Sequence, residues 1–136
     1  ITPIYSTTFR TSGTPGIASL ALPADASMPP LEVNKDYRWS VAILCNPSNS
    51  KQNITVTGWV QRVAPGADLA KQLSQSTARD RPALYANNGY WFDTLNALAA
   101  ERCANPNDPA LAASWSELLQ SVKLETIATQ TLLQQC

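Results

Sequence analysis

The run Asp36–Cys45 restricts what this chain can fold into more than any other stretch. Tyr37, Trp39, Val41, Ile43 and Cys45 alternate with Arg38, Ser40, Ala42 and Leu44, the period of two that marks a β-strand. A second run, Asn53 to Val63, repeats the pattern, with Ile54, Val56, Gly58 and Val60 on one face and Thr55, Thr57, Trp59 and Gln61 on the other. Between them Asn46-Pro47-Ser48-Asn49-Ser50 supplies turn chemistry, so the two runs are expected to close an antiparallel hairpin. The Tyr37–Cys45 face is expected to be core, and the small or apolar opposite face makes the earlier strand central. Two further alternating runs precede it, Ile4–Phe9 and Ile17–Leu22, separated by Ser12-Gly13-Thr14-Pro15-Gly16 and stopped by Pro23. Short strands at this spacing with Pro/Gly turns point to part of an immunoglobulin-type sandwich. Four strands are too few to complete one. Either helices cover the open face or further strands precede Ile1.

The periodicity then changes from two to nearly four. Leu69 and Leu73 pair one turn apart after Pro65-Gly66. Thr77 and Asp80 have capping-box spacing, and Pro82 suits a first helical turn. Gly89 ends that segment, and Trp91, Leu95, Leu98 and Ala99 line one face of a helix reaching about Cys103. Asp108 followed by Pro109 is a strong start signal for the next helix, whose stripe is Leu111, Trp115, Leu118, Leu119 and Val122. A last helix is expected to carry Leu124, Ile127, Ala128 and Leu132. Tyr85, Gly89, Leu98 and Pro106 fall close to tetratricopeptide spacing, and Ala128 and Leu132 recur about 34 residues after Thr94 and Leu98. The helical half therefore resembles two degenerate tetratricopeptide hairpins; two ordinary helical hairpins would read the same way.

The expected class is α+β. Residues 1–64 form an antiparallel sheet, a partial immunoglobulin-like sandwich, and residues 65–136 form helical hairpins. Two hairpins cannot bury their own apolar faces, so they are expected to pack on the sheet. With 136 residues in all, the two parts are expected to make one compact domain.

Composition removes most chemistry. There is no histidine, hence no imidazole base, proton shuttle or metal ligand. Cys45, Cys103 and Cys136 form no short metal-type pair, so zinc is not expected. Seven acids, among them Asp36, Glu101 and Glu117, are scattered rather than paired as glycoside hydrolysis requires. Basic and acidic residues balance at ten each, which argues against nucleic acid and against a polybasic membrane patch. No apolar run has transmembrane length. The chain starts at Ile1 without Met or a signal peptide, as a processed or trimmed N-terminus would. Low charge, ten prolines and polar connections suit an extracytoplasmic protein.

A few residues remain as candidates. Arg62, ending a strand, and Asp93, in a first helical turn, are expected to form an ion pair pinning helix to sheet; the functional alternative is an anion or sugar site framed by Trp59 and Tyr90. Trp39, Trp91 and Trp115 lie on apolar faces and are expected in the core, leaving Trp59 as the exposed aromatic. Cys103 and Cys136 are nearly one repeat apart and would end equivalent helices, which makes them a candidate disulfide; Cys45 with Cys136 is the other pairing.

One ordered set of residues goes further. Gly13-Thr14-Pro15-Gly16-Ile17, Leu22-Pro23, Leu31-Glu32, then Tyr37, Trp39 and Cys45 lead to Gly58-Trp59-Val60-Gln61-Arg62-Val63. Leu84-Tyr85-Ala86, Gly89-Tyr90-Trp91-Phe92-Asp93 and Leu118-Leu119-Gln120-Ser121-Val122 follow. In that order, over most of the chain, they resemble the cyanobacterial "domain of unknown function 928" family. Members generally have a further N-terminal, strand-like segment. The resemblance implies an envelope or exported protein and no catalytic residue.

The expectation is a non-enzymatic, secreted, periplasmic or cell-surface domain without cofactor, acting by protein contact or self-assembly. Its open sheet edge would be complemented by a strand from another segment or subunit. A carbohydrate-binding module centred on Trp59 is the alternative.

Overall fold

Alternation sorts the side chains of the sheet onto two faces. In the structure, a computed structural model that describes residues 2–23, 28–46 and 48–133, β1 (Asp36–Ile43) pairs antiparallel with β2 (Ile54–Gln61). Tyr37 lies opposite Val60, Trp39 opposite Gly58, Val41 opposite Val56 and Ile43 opposite Ile54, so these apolar residues share one face, and Ala42 and Trp59 fall on the other. The connection is turned by Asn46, whose Oδ1 accepts from the Ser48 backbone N–H at 2.9 Å, followed by a 3₁₀ turn over Ser50–Gln52. Past Arg62 the backbone N–H of Asn34, at φ 62°, donates to the Arg62 carbonyl at 2.7 Å, closing the open end of the hairpin.

Three expectations about this region change. The sheet has two strands, so β1 is an edge strand and not a central one. Trp39 is not core; its indole lies over Gly58, in the space where any other residue would put a Cβ, and remains partly exposed. Val41 and Ile43 are exposed as well, and Cys45 is an exposed free thiol beyond the strand end. A two-stranded ribbon has no second layer of its own to bury either face.

The chain divides into two compact units, residues 23–65 and residues 1–22 with 66–136. In the second unit, α1 (Ala67–Gln75) buries Leu69, and α2 (Arg81–Asn87) buries Pro82 in its first turn. The Asp80 carboxylate reaches back to Thr77, accepting from its hydroxyl at 2.7 Å and its N–H at 3.3 Å, the return half of a capping box. The hydroxyl bond, then the backbone one, hold the Asp80 carboxyl below its ordinary pKa. At the other end Gly89, at φ 78°, lets the Tyr90 and Gly89 N–H groups close on the carbonyls of Tyr85 and Ala86 at 3.0 and 3.1 Å, a Schellman cap.

The two long helices form where the sequence signals put them, α3 at Trp91–Ala104 and α4 at Pro109–Ser121. Leu98 and Ala99 of α3 pack with Leu111, Trp115 and Leu119 of α4 and with Ala128, and Trp91 and Leu95 close the edge of this core. Val122, expected on the α4 stripe, is exposed because the helix has ended. Lys123 takes the left-handed conformation, φ 63°, so that Leu124 and Lys123 donate to the carbonyls of Leu119 and Gln120 at 2.9 and 3.0 Å.

The expected last helix reduces to a 3₁₀ turn, Glu125–Ile127. Its sequence explains this: Thr126, Ile127, Thr129 and Thr131 are β-branched and stiff, and the Lys123 cap has already turned the chain away. Among the described residues the second expected hairpin therefore has its first helix, α4, and lacks its second. The runs at 4–9 and 17–22 are not strands either. Among the described residues only Ile17 of these runs pairs, in a parallel bridge with Leu132, its N–H donating to the Thr131 carbonyl and its carbonyl accepting from Leu133, both at 2.8 Å.

A non-glycine residue at positive φ costs roughly 1 kcal/mol that glycine does not. Lys123→Gly is therefore expected to raise stability by up to about 1 kcal/mol in urea unfolding followed by helical dichroism. An unchanged or lowered midpoint would mean the side chain makes an offsetting contact.

Candidate functional site

The hairpin presents two chemically opposite faces. On the polar face Trp59, 68% exposed, stands opposite Arg38 across the strands. Ser40, Thr57, Asp36 and Gln61 share that face, and the Gln61 amide donates to the Asp36 carboxylate at 2.9 Å. One exposed aromatic plate is thus flanked by hydroxyl, amide, carboxylate and guanidinium groups. On the other face Tyr37, Trp39, Val41, Ile43, Ile54, Val56 and Val60 carry no charge. Several of these side chains are large and exposed.

The structure assigns the sequence candidates to different units. Trp59 and Arg62 belong to the hairpin unit; Tyr90 and Asp93 belong to the helical unit. Arg62 Nη1 donates to the Leu31 carbonyl at 3.0 Å, which ties the strand end to the chain entering β1. Tyr90 is half-buried at the N-terminus of α3, and its carbonyl accepts from both the N–H and the hydroxyl of buried Thr94, at 2.9 and 2.7 Å. Asp93 lies exposed in the first turn of α3, where its charge suits the helix dipole. Cys103 is half-buried in the last turn of α3, and Cys136 lies outside the described residues, so the Cys103–Cys136 pairing does as well.

The helical unit has a groove of about 390 Å³ between α2, α3 and α4, floored by Pro82, Ala83, Ala86, Leu98, Leu111 and Leu118. Arg79 and Glu117 also line it. Arg79 Nη1 donates to Asp108 Oδ2 at 2.7 Å, while Asp108 Oδ1 caps α4 by accepting from Ala110 and Leu111 at 2.9 and 3.3 Å. The sequence signals identify the cap but not its ion partner, because nothing local links positions 79 and 108. Between α3 and α4 the Arg102 guanidinium lies 5.2 Å from the Trp115 ring centroid. Its Nη1 and the Trp115 Nε1 are buried donors without acceptors among the described residues. Among the described residues no three Cys, Asp or Glu side chains converge as metal ligands would.

The Arg79 guanidinium, aided by the two backbone N–H groups, holds the Asp108 carboxyl below its ordinary pKa, against an opposing desolvation that outweighs either backbone bond. A carboxylate whose pKa is depressed on folding stabilises the fold above its unfolded pKa, about 4, and stops doing so as pH falls through the folded value. At neutral pH the melting temperatures are expected to fall in the order wild type, Asp108→Asn, Asp108→Ala. Asparagine keeps the cap acceptor and loses the ion pair; alanine loses both. The gap between wild type and Asp108→Asn should close below the depressed pKa and narrow in high salt. A gap that persists in acid would mean the carboxylate charge is not its source.

Among the described residues no helix is long and apolar enough to cross a membrane. No curated protein and no solved structure matches the chain. The family model described as Domain of Unknown Function (DUF928) matches residues 1–132, which include the hairpin, all four helices and the Ile17–Leu132 bridge. With nearly its whole length inside that match, the chain belongs to the DUF928 family.

Proposed function

We propose that this is a non-enzymatic protein-interaction domain, a subunit of an extracytoplasmic assembly in a cyanobacterial envelope or its surroundings. The observation that supports it best is the uncharged, exposed face of the β1–β2 hairpin. A ribbon of two strands is at best marginal in water and gains stability from a third strand or a covering layer. A strand from another segment or subunit would add main-chain hydrogen bonds along an open edge and cover apolar side chains with alternate residues of its own. The test is the mass of the native particle by light scattering on a sizing column without reductant. A multiple of 14.7 kDa supports an assembly subunit, and a lone monomer at every concentration counts against it.

Exposed Trp59 and its polar neighbours support a second reading, a carbohydrate-binding module. Glycans would quench indole fluorescence in the wild type and not in Trp59→Phe. An extracytoplasmic location also fits a Cys103–Cys136 disulfide, with Cys45 left as the free thiol. A peptide map without reductant is expected to recover that cross-link; three free thiols would remove both the disulfide and the compartment argument.

A further inference from the structure

We propose that two copies of this chain associate by packing the apolar faces of their β1–β2 hairpins together about a twofold axis. The proposal rests on the protein-interaction reading and names the partner as a second copy. Three observations converge on it.

The first is size. Trp39, Val41, Ile43, Ile54 and Val56 are each between 39% and 60% exposed. Such a face leaves on the order of 500 Å² of apolar surface per copy, so a pair would bury roughly 1,000 Å², the lower bound for a specific interface. That is also the size of an apolar patch that ordinarily has a use.

The second is charge. No strand residue on the face is charged, the Lys35 ammonium 5.7 Å from the Tyr37 ring centroid at one end is paired with Glu32, and the chain as a whole is balanced at net zero. No long-range repulsion opposes two copies, and no unpaired charge on the face selects a different partner.

The third is shape. The face is graded along its length. Tyr37 and Trp39 make one end aromatic, with the Trp39 indole laid over Gly58, and Ile43 and Ile54 make the other end aliphatic. A twofold axis between the faces and perpendicular to the strands sets the aromatic end of one copy on the aliphatic end of the other. Every contact then occurs twice, large against small, as an isologous interface requires. The product is a four-stranded, two-layer sandwich with the ~10 Å layer spacing typical of packed sheets.

Sedimentation velocity on the full chain tests this. The expected mass rises with concentration from 14.7 kDa to twice that value and goes no further. Val56→Lys puts a charge at the centre of the face and is expected to weaken association at least about 100-fold, with helical dichroism retained. Thr57→Lys, on the opposite face, is expected to leave the dimer intact. Hydrogen exchange on the wild type reads the same surface without a variant: protection of residues 36–43 and 54–61 should rise with protein concentration. Exchange that is independent of concentration overturns the proposal even if Val56→Lys fails to fold. Association that survives in a folded Val56→Lys overturns this interface and leaves the assembly reading standing. A wild type that is monomeric throughout overturns both.

Discussion

Replacing Trp115 by alanine is expected to remove about 3–5 kcal/mol of stability, the range for an aromatic deleted from a close-packed core. Trp115 is 2% exposed, the most completely buried large side chain, and touches the residues that join α3 to α4. The same deletion strips Arg102 of the ring it lies against, leaving a guanidinium whose Nη1 already lacks an acceptor. Trp115→Phe is the informative companion. It keeps a ring, shrinks the cavity and removes the unpaired indole N–H, so its cost should be well below that of alanine. Urea unfolding followed by helical dichroism measures both. Trp59→Ala, at an exposed position, should stay within about 0.5 kcal/mol of wild type. Should Trp115→Ala cost no more than Trp59→Ala, the core is not organised around position 115.

Gly16→Ala is expected to be the most damaging change outside the core. A Cβ at position 16 would sit 2.6 Å from the Thr131 carbonyl oxygen and 2.6 Å from the Leu133 Cγ. The side chain of Leu133 can turn aside, but the carbonyl is backbone and is already the acceptor for Ile17. The methyl group must therefore push the two segments apart and break the Ile17–Leu132 bridge, at a cost of about 1–3 kcal/mol. Limited proteolysis gives the sharper readout: residues up to 22 and beyond 128 should be cut faster in the variant, with α3 and α4 spared. Identical cleavage would mean the bridge does not hold these segments.

What was legible in the sequence was whatever a short span determines. The antiparallel β1–β2 pair and the residues that share each face follow from strict alternation in both runs, and the start of α4 follows from Asp108-Pro109 alone. The same logic overreached where a pattern needed a distant partner. Leu124, Ile127, Ala128 and Leu132 have helical spacing, but Thr126, Thr129 and Thr131 between them disfavour the helix, and Leu132 pairs instead with Ile17. Alternation at 17–22 likewise describes a strand that has one bridging residue and no neighbouring strand. For the candidate site, the polar and apolar faces of the hairpin were readable, because side-chain parity fixes them. Their exposure was not, since alternation says which residues share a face and nothing about what covers it. Trp39 was assigned to the core for that reason. The Arg79–Asp108 pair was invisible because it joins two helix starts that only the fold brings together.

The Ile17–Leu132 bridge has a further consequence for how the chain is made. Residues 23–65 form one unit by themselves, and β1 and β2 are separated by a single short loop. The ribbon can close soon after both strands leave the ribosome. Residues 2–22 emerge earlier still, yet the partner of Ile17 is near the far end of the sequence. Until Leu132 is made, residues 2–22 lack that bridge partner, and an apolar ribbon follows them in the sequence. The order of synthesis thus holds open a stretch prone to stray pairing until Leu132 has appeared, the interval in which a holding chaperone would matter most.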